Sequence, residues 1–159
     1  KRYGKVFPEV TGLLTSTPLL PGLDGRKMSK SYGNAISISM TAEETAKLIK
    51  KAKTDSERNI TFDPESRPEV SALLTTAGIC SGRDPKELAD EIGMGGGGQL
   101  KKVVTEAVNG RFAEIRERRE KIVQDTDYIH DIIADGNRRA NAIAHETLCE
   151  VREAMGMVY

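Results

Sequence analysis

Leu100-Lys-Lys-Val-Val-Thr-Glu-Ala-Val-Asn-Gly-Arg-Phe-Ala-Glu-Ile115 places apolar residues at intervals of three and four: Leu100, Val103, Val104, Ala107, Val108, Phe112 and Ile115. That spacing gathers them on one face of an α-helix and rules out the alternation of a strand. Ile122 continues the stripe. Asp125-Thr-Asp127 then breaks it and offers a cap for a second long helix. The second stripe runs Ile129, Ile132, Ile133, Gly136, Ala140, Ile143, Ala144, Leu148, Val151 and Met155. Two long helices with a short connection are expected to pack as an antiparallel pair. Small residues at Gly136, Ala140 and Ala144 would let the backbones approach closely.

Upstream, the helical pattern continues in shorter pieces. Thr41-Ala-Glu-Glu44 reads as a capping box, with Ala46, Ile49 and Ala52 on one face of the helix it starts. Lys47, Lys50, Lys51 and Lys53 crowd its last turns, which suits the negative end of the helix dipole. Pro68 can open another helix, with Val70, Leu73, Leu74 and Ala77 as its stripe and Gly78 as its stop. Asp84-Pro85-Lys86-Glu87 repeats the start signal. Gly93-Met-Gly-Gly-Gly-Gly98 holds five glycines in six residues and is expected to be non-helical. Ala35-Ile-Ser-Ile-Ser39 alternates apolar and small polar residues, as a short strand or an extended link does. The fold expected is mainly α, a bundle of four or five helices.

Composition narrows the function. The chain has 159 residues, 24 basic and 24 acidic, so its net charge is zero. It is 38% hydrophobic and 4% aromatic, with no Trp. No apolar run approaches the roughly 20 residues of a membrane span. Lys1 to Pro8 is charged and aromatic, without the apolar segment of a secretion signal. Cys80 and Cys149 make neither a disulfide framework nor a metal site. They read as buried thiols of a reducing cytosol, which places the chain in the cytoplasm. The neutral total hides an asymmetry. Residues 1–60 hold 11 basic and 6 acidic side chains, while residues 61–159 hold 13 and 18.

Positive charge in the first part collects in Gly22-Leu-Asp-Gly25-Arg-Lys27-Met28-Ser29-Lys30-Ser31-Tyr32-Gly33-Asn34. Gly25 and Gly33 bracket Arg26, Lys27 and Lys30 with two hydroxyls, Ser29 and Ser31, and no acid lies inside the bracket. Lysine is a compact charge on a flexible stem, suited to phosphate oxygens whose charge shifts during reaction. Backbone amides and serine hydroxyls add donors. A nucleotide polyphosphate is the ligand such a loop fits. A solvated basic surface loop is the plain alternative on composition alone.

Lys27-Met-Ser-Lys-Ser31 matches letter for letter the KMSKS signature of class I aminoacyl-tRNA synthetases. Its flanks, Leu20-Pro-Gly-Leu-Asp-Gly-Arg26 and Tyr32-Gly-Asn34, closely resemble those of bacterial-type tryptophanyl-tRNA synthetases. So do Ala52-Lys-Thr-Asp-Ser-Glu-Arg58, Leu100-Lys101 after a Gly-rich turn, and the closing Val151-Arg-Glu-Ala-Met-Gly156. The resemblance covers essentially the whole chain and favours the tryptophanyl over the tyrosyl enzymes.

The resemblance implies activation of tryptophan by Mg2+-bearing ATP and transfer to tRNA(Trp). Lys30 would contact the leaving pyrophosphate, Lys27 would support the same phosphates, and Met28, Ser29 and Ser31 would shape the loop and its closure. Residues 1–40 would be the end of a Rossmann-type catalytic domain, loop and strand remnant. Residues 41–159 would be a helical anticodon-binding domain. Class I enzymes also carry a HIGH-type histidine motif, yet the two histidines here, His130 and His145, both fall in the last predicted helix. The chain is therefore read as the C-terminal part of a synthetase, inactive alone. The complete protein is expected to be a homodimer, without a membrane or a resident metal.

Arg138, Arg139 and Asn141 are candidates for contacting tRNA, against a solvated helix face as the alternative. Arg116, Arg118, Arg119 and Lys121 alternate with Glu114, Glu117 and Glu120 and read as i,i+4 surface pairs. Lys101 and Lys102 suit either an approaching RNA backbone or cover for a helix start. A tyrosyl enzyme, a non-catalytic tRNA-binding module and a helical scaffold with an incidental loop are the other readings.

Overall fold

The computed structural model describes residues 3–157. Five α-helices form: α1 Ala42–Lys50, α2 Pro68–Ser81, α3 Pro85–Ile92, α4 Gly96–Val123 and α5 Thr126–Ala154. The mainly α expectation therefore holds. No helix among the described residues is long and apolar enough to cross a membrane. The chain divides into two compact units, one of residues 16–119 and one of residues 1–15 with 120–159. The first unit thus keeps the basic loop, the first three helices and most of α4 together, across the functional division expected at residue 40.

In the larger unit two helix starts work as read. The Thr41 hydroxyl accepts from the Glu44 amide at 3.1 Å, and the Glu44 carboxylate accepts from the Thr41 amide at 2.9 Å. Asp84 accepts from the Lys86 amide at 2.7 Å, with Pro85 at the first helical position of α3. The core joins Ile49 of α1, Val70, Leu73, Leu74 and Ala77 of α2, Leu88 and Ile92 of α3, and Leu100, Val104 and Val108 of α4. Arg67 leads into α2 and is buried, at 8% exposure. It grips the preceding connection by two bonds of 2.7 Å to the Asp55 carboxylate, one to Asn59 O and one to the Thr61 hydroxyl.

Four expectations are corrected. Gly78 does not stop α2, which runs to Ser81 and ends on Gly82 in the left-handed region at φ 72°. Gly78 is instead a close-approach site: a Cβ there would lie 2.8 Å from the Arg83 carbonyl oxygen and 3.1 Å from Pro85. Gly78→Ala is therefore expected to destabilise. The backbone clash costs about 1–3 kcal/mol, more than the roughly 1 kcal/mol of helix propensity gained over glycine. A urea unfolding midpoint equal to or above that of the parent would refute this.

The glycine run is helical as well. Gly93–Gly95 makes one 3-10 turn and α4 begins at Gly96. Tertiary fit overrides propensity here. Gly96 is buried, a Cβ at Gly97 would press to 3.1 Å from the Thr54 hydroxyl, and the Ile60 amide bonds Gly93 O at 2.7 Å. The third correction concerns the strand remnant. No strand forms among the described residues, and the only β pairing there is an isolated antiparallel bridge of Pro21 with Lys27. Residues 35–39 run as a link whose Ser37 and Ser39 hydroxyls bond each other at 2.8 Å. A lone extended segment without a pairing neighbour gains no ladder bonds.

The fourth correction concerns α5. Asp125 caps it as expected, accepting from the Tyr128 amide at 3.0 Å. Yet none of its residues is buried, and Ile132, Ile133 and Ile143 are exposed. A Cβ at Gly136 would meet nothing within 4 Å.

Candidate polyphosphate-binding site

The loop of residues 22–34 is built from short-range bonds. The Gly22 amide bonds Arg26 O at 2.7 Å and the Gly25 amide bonds Gly22 O at 2.9 Å, which closes a tight turn. Lys30–Tyr32 form a 3-10 turn that ends on Gly33 at φ 64°, a conformation only glycine adopts without strain. The Ser29 and Ser31 hydroxyls sit 2.8 Å apart.

Asn34 ties these pieces together. It is 4% exposed. Its amide nitrogen donates to Asp24 Oδ1 at 2.8 Å and to Lys27 O at 3.1 Å. Its Oδ1 accepts from the Ser29 amide at 2.8 Å, and its backbone carbonyl accepts from the Leu23 amide at 3.0 Å. A Cβ on Gly22 would overlap the Asn34 side chain. One buried amide thus holds both flanks of the Lys27–Ser31 segment. In the sequence Asn34 stands only as a flank of the basic segment. Its position after Gly33 is the available signal, but its side-chain partners lie five to ten residues away.

Asp24 changes the electrostatics. It lies one residue outside the Gly25–Gly33 bracket, and Arg26 pairs with it through Nε at 2.8 Å and NH2 at 2.7 Å. Arg26 also covers the Tyr32 ring at 4.9 Å. Its charge is therefore spent within the loop. Lys27 and Lys30 are exposed and form no ion pair among the described residues, so the loop offers two free cations rather than three. The hydrogen bond from Asn34, reinforced by Arg26 and opposed by burial, holds the Asp24 carboxyl down at about 2 against an ordinary 3.8. Because the folded value is the lower one, the tie is fully present above about pH 4 and is lost as pH falls toward 2. An NMR titration of the Asp24 carboxyl carbon is expected to show a midpoint near 2; a midpoint near 3.8 would mean the tie is absent.

The loop base is joined to the helices. The Lys53 amide bonds Leu23 O at 2.8 Å, and Lys53 Nζ pairs with Glu69 at 2.6 Å. That partner holds the Glu69 carboxyl below its ordinary value.

The other candidates lie elsewhere. Arg138, Arg139 and Asn141 are exposed on α5, in the second unit, where Arg138 pairs with Asp135 at 2.8 Å. His130 and His145 are on the same helix, and His145 Nε2 lies 3.7 Å from the Cys149 sulfur. Arg116 does not make the surface pairing expected of it. It bonds Met40 O at 2.9 Å, the buried Thr45 hydroxyl at 2.9 Å and Asn109 at 2.8 Å, clamping α1 to α4. Lys101 Nζ donates to Lys50 O at 3.3 Å, so it meets the last turn of α1 rather than covering the helix start expected of it.

The family described as tRNA synthetases class I (W and Y) matches residues 1–113. The chain belongs to this family. Among curated synthetases, it is 36% identical to the tryptophan–tRNA ligase of Aquifex aeolicus over 98% of this chain and 40% of that protein. It is 34% identical to the Thermotoga maritima ligase over 99% of this chain and 49% of that one. A crystal structure of the Campylobacter jejuni tryptophanyl-tRNA synthetase, complexed with ADP and tryptophan, superposes with a TM-score of 0.70 at 28% identity, over 97% of this chain and 49% of that one. The chain thus spans about half the length of the synthetases it matches.

Proposed function

We propose that this chain is the C-terminal part of a tryptophan–tRNA ligase and that the loop of residues 22–34 serves its ATP. The observation carrying this reading is the pair of unneutralised lysines, Lys27 and Lys30, on a loop whose third cation is already paired with Asp24. The similarity of the chain to tryptophan–tRNA ligases supports tryptophan as the amino acid.

In the first step a tryptophan carboxylate oxygen attacks the α-phosphorus of ATP. The bond to the bridging oxygen breaks and pyrophosphate leaves. Lys30 meets the charge that builds on that leaving group and Lys27 holds the same phosphates, an electrostatic role strongest for groups already in place. Asn34 and Asp24 keep them so by fixing the loop backbone. The Ser29 and Ser31 hydroxyls donate to phosphate oxygens, and Met28, between Lys27 and Ser29, shapes the loop. Mg2+ arrives as part of the substrate, held by phosphate oxygens and water. In the second step the terminal ribose hydroxyl of tRNA(Trp) displaces AMP from the adenylate.

Residues 1–40 then belong to the catalytic domain and residues 41–159 to a helical domain that reads tRNA, with Arg138, Arg139 and Asn141 offered to it. The complete protein is a cytoplasmic homodimer. The tyrosine-specific alternative is not favoured by the tryptophan–tRNA ligases that match.

The test is tryptophan-dependent pyrophosphate exchange and charging of tRNA(Trp) and tRNA(Tyr), with the complete protein and with this chain alone. Exchange and tRNA(Trp) charging by the complete protein, with none by the chain alone, are expected. Charging of tRNA(Tyr) instead would overturn the specificity. A complete protein that retains tRNA in filters with a steep salt slope but never exchanges pyrophosphate would establish the non-catalytic tRNA-binding reading.

A further inference from the structure

Directly beneath the loop lies an apolar cavity of about 180 Å³ within the unit of residues 16–119. Leu20, Leu23 and Met28 line it from the loop side, Cys80 from α2, and Val108 and Phe112 from α4. The space is partly open, since Val108 is the only buried residue of its lining, but its wall is almost wholly apolar. Apolar cavities of about 150 Å³ lined by leucine, isoleucine and phenylalanine take up benzene or xenon.

The chemistry of the wall restricts the occupant further. The one hydroxyl in the lining, Thr76 Oγ1, already donates to Ala72 O at 2.8 Å within its own helix. No buried side-chain polar atom among the described residues lacks a partner. Burial pushes the Cys80 thiol up from its ordinary value, so it faces the cavity uncharged. Nothing in the wall asks for a charge or a hydrogen bond. The Phe112 ring and the Met28 thioether favour an aromatic face, since sulfur–ring contacts are attractive. Met28 and Ile79 are the exposed members of the lining, so access from solvent runs past them.

We propose that this cavity is a binding site for an uncharged single-ring aromatic molecule, which reaches the polyphosphate loop through Met28. Met28 stands between Lys27 and Ser29, so an occupied cavity braces the loop from below. The site stands whether or not the ligase reading is correct, because it rests on the cavity alone.

Toluene is the probe. In the Cys149→Ser chain Cys80 is the sole thiol, and the substitution lies in the other compact unit. Near-saturating toluene is expected to slow modification of Cys80 by a disulfide reagent about fivefold, as mass action predicts for an occupied site. In the unsubstituted chain it is expected to shift the Met28 methyl resonance while leaving those of Met94, Met155 and Met157 in place. Cys80→Phe fills the space with a ring of its own and is expected to abolish the Met28 shift. If that variant fails to fold, the thiol rate and the methyl titration decide the matter. An unchanged thiol rate, or equal shifts at all the methionines, overturns the site.

Discussion

Lys30→Ala in the complete ligase is expected to lower kcat for tryptophan-dependent pyrophosphate exchange by about 100- to 1000-fold, the usual loss when one preorganised transition-state donor is removed. The KM for tryptophan should move little, because Lys30 would act on the leaving phosphates rather than on the amino acid. Stability should also change little: Lys30 is exposed and touches no carboxylate among the described residues. Lys47→Ala, an exposed lysine on α1 in the same compact unit, is the matched control and should leave exchange unchanged. If Lys30→Ala keeps a third or more of the parent kcat, the role assigned to this lysine is wrong.

Asn34→Ala should come next in size, by a different route. It removes three hydrogen bonds at once, those to Asp24, Lys27 O and the Ser29 amide. At about 1 kcal/mol each, their loss is expected to weaken tripolyphosphate binding by about 100-fold. Both lysines would still be present, so the loss would come from their disorder. Trypsin reads that directly. Cleavage after Lys27 and Lys30 should accelerate about tenfold or more, while cleavage after Arg138 and Arg139 on α5 keeps its rate. Equal acceleration at both places would mean general unfolding and would remove the positioning role.

How much of this was legible depended on the range of each interaction. The Thr41–Glu44 box and the Asp84-Pro85 start are satisfied within three residues, so the sequence carries them whole. The glycine run misled because its helical state depends on burial of Gly96 and on Thr54 against Gly97, contacts made about forty residues apart. Arg116 misled for a similar reason. Its neighbours alternate in charge as surface pairs do, but its guanidinium finds Thr45, 71 residues earlier. Gly78 looked able to stop α2, and only the approach of Arg83 and Pro85, which follow the true stop at Gly82, explains why a glycine stands there. At the site, the lysines and serines were plain from their order. The neutralisation of Arg26 was not, because Asp24 stood outside the apparent glycine bracket and Asn34, its strongest partner, lies ten positions away.

The bond from the Lys53 amide to Leu23 O ties the connection that follows α1 to the floor of the loop. A calorimeter should therefore see no separate loop event before the helices of residues 16–119 give way. Heat would disarm the two lysines only by dismantling the layer on which they are mounted, and a brief thermal excursion that spares the helices would leave the loop ready to work on cooling.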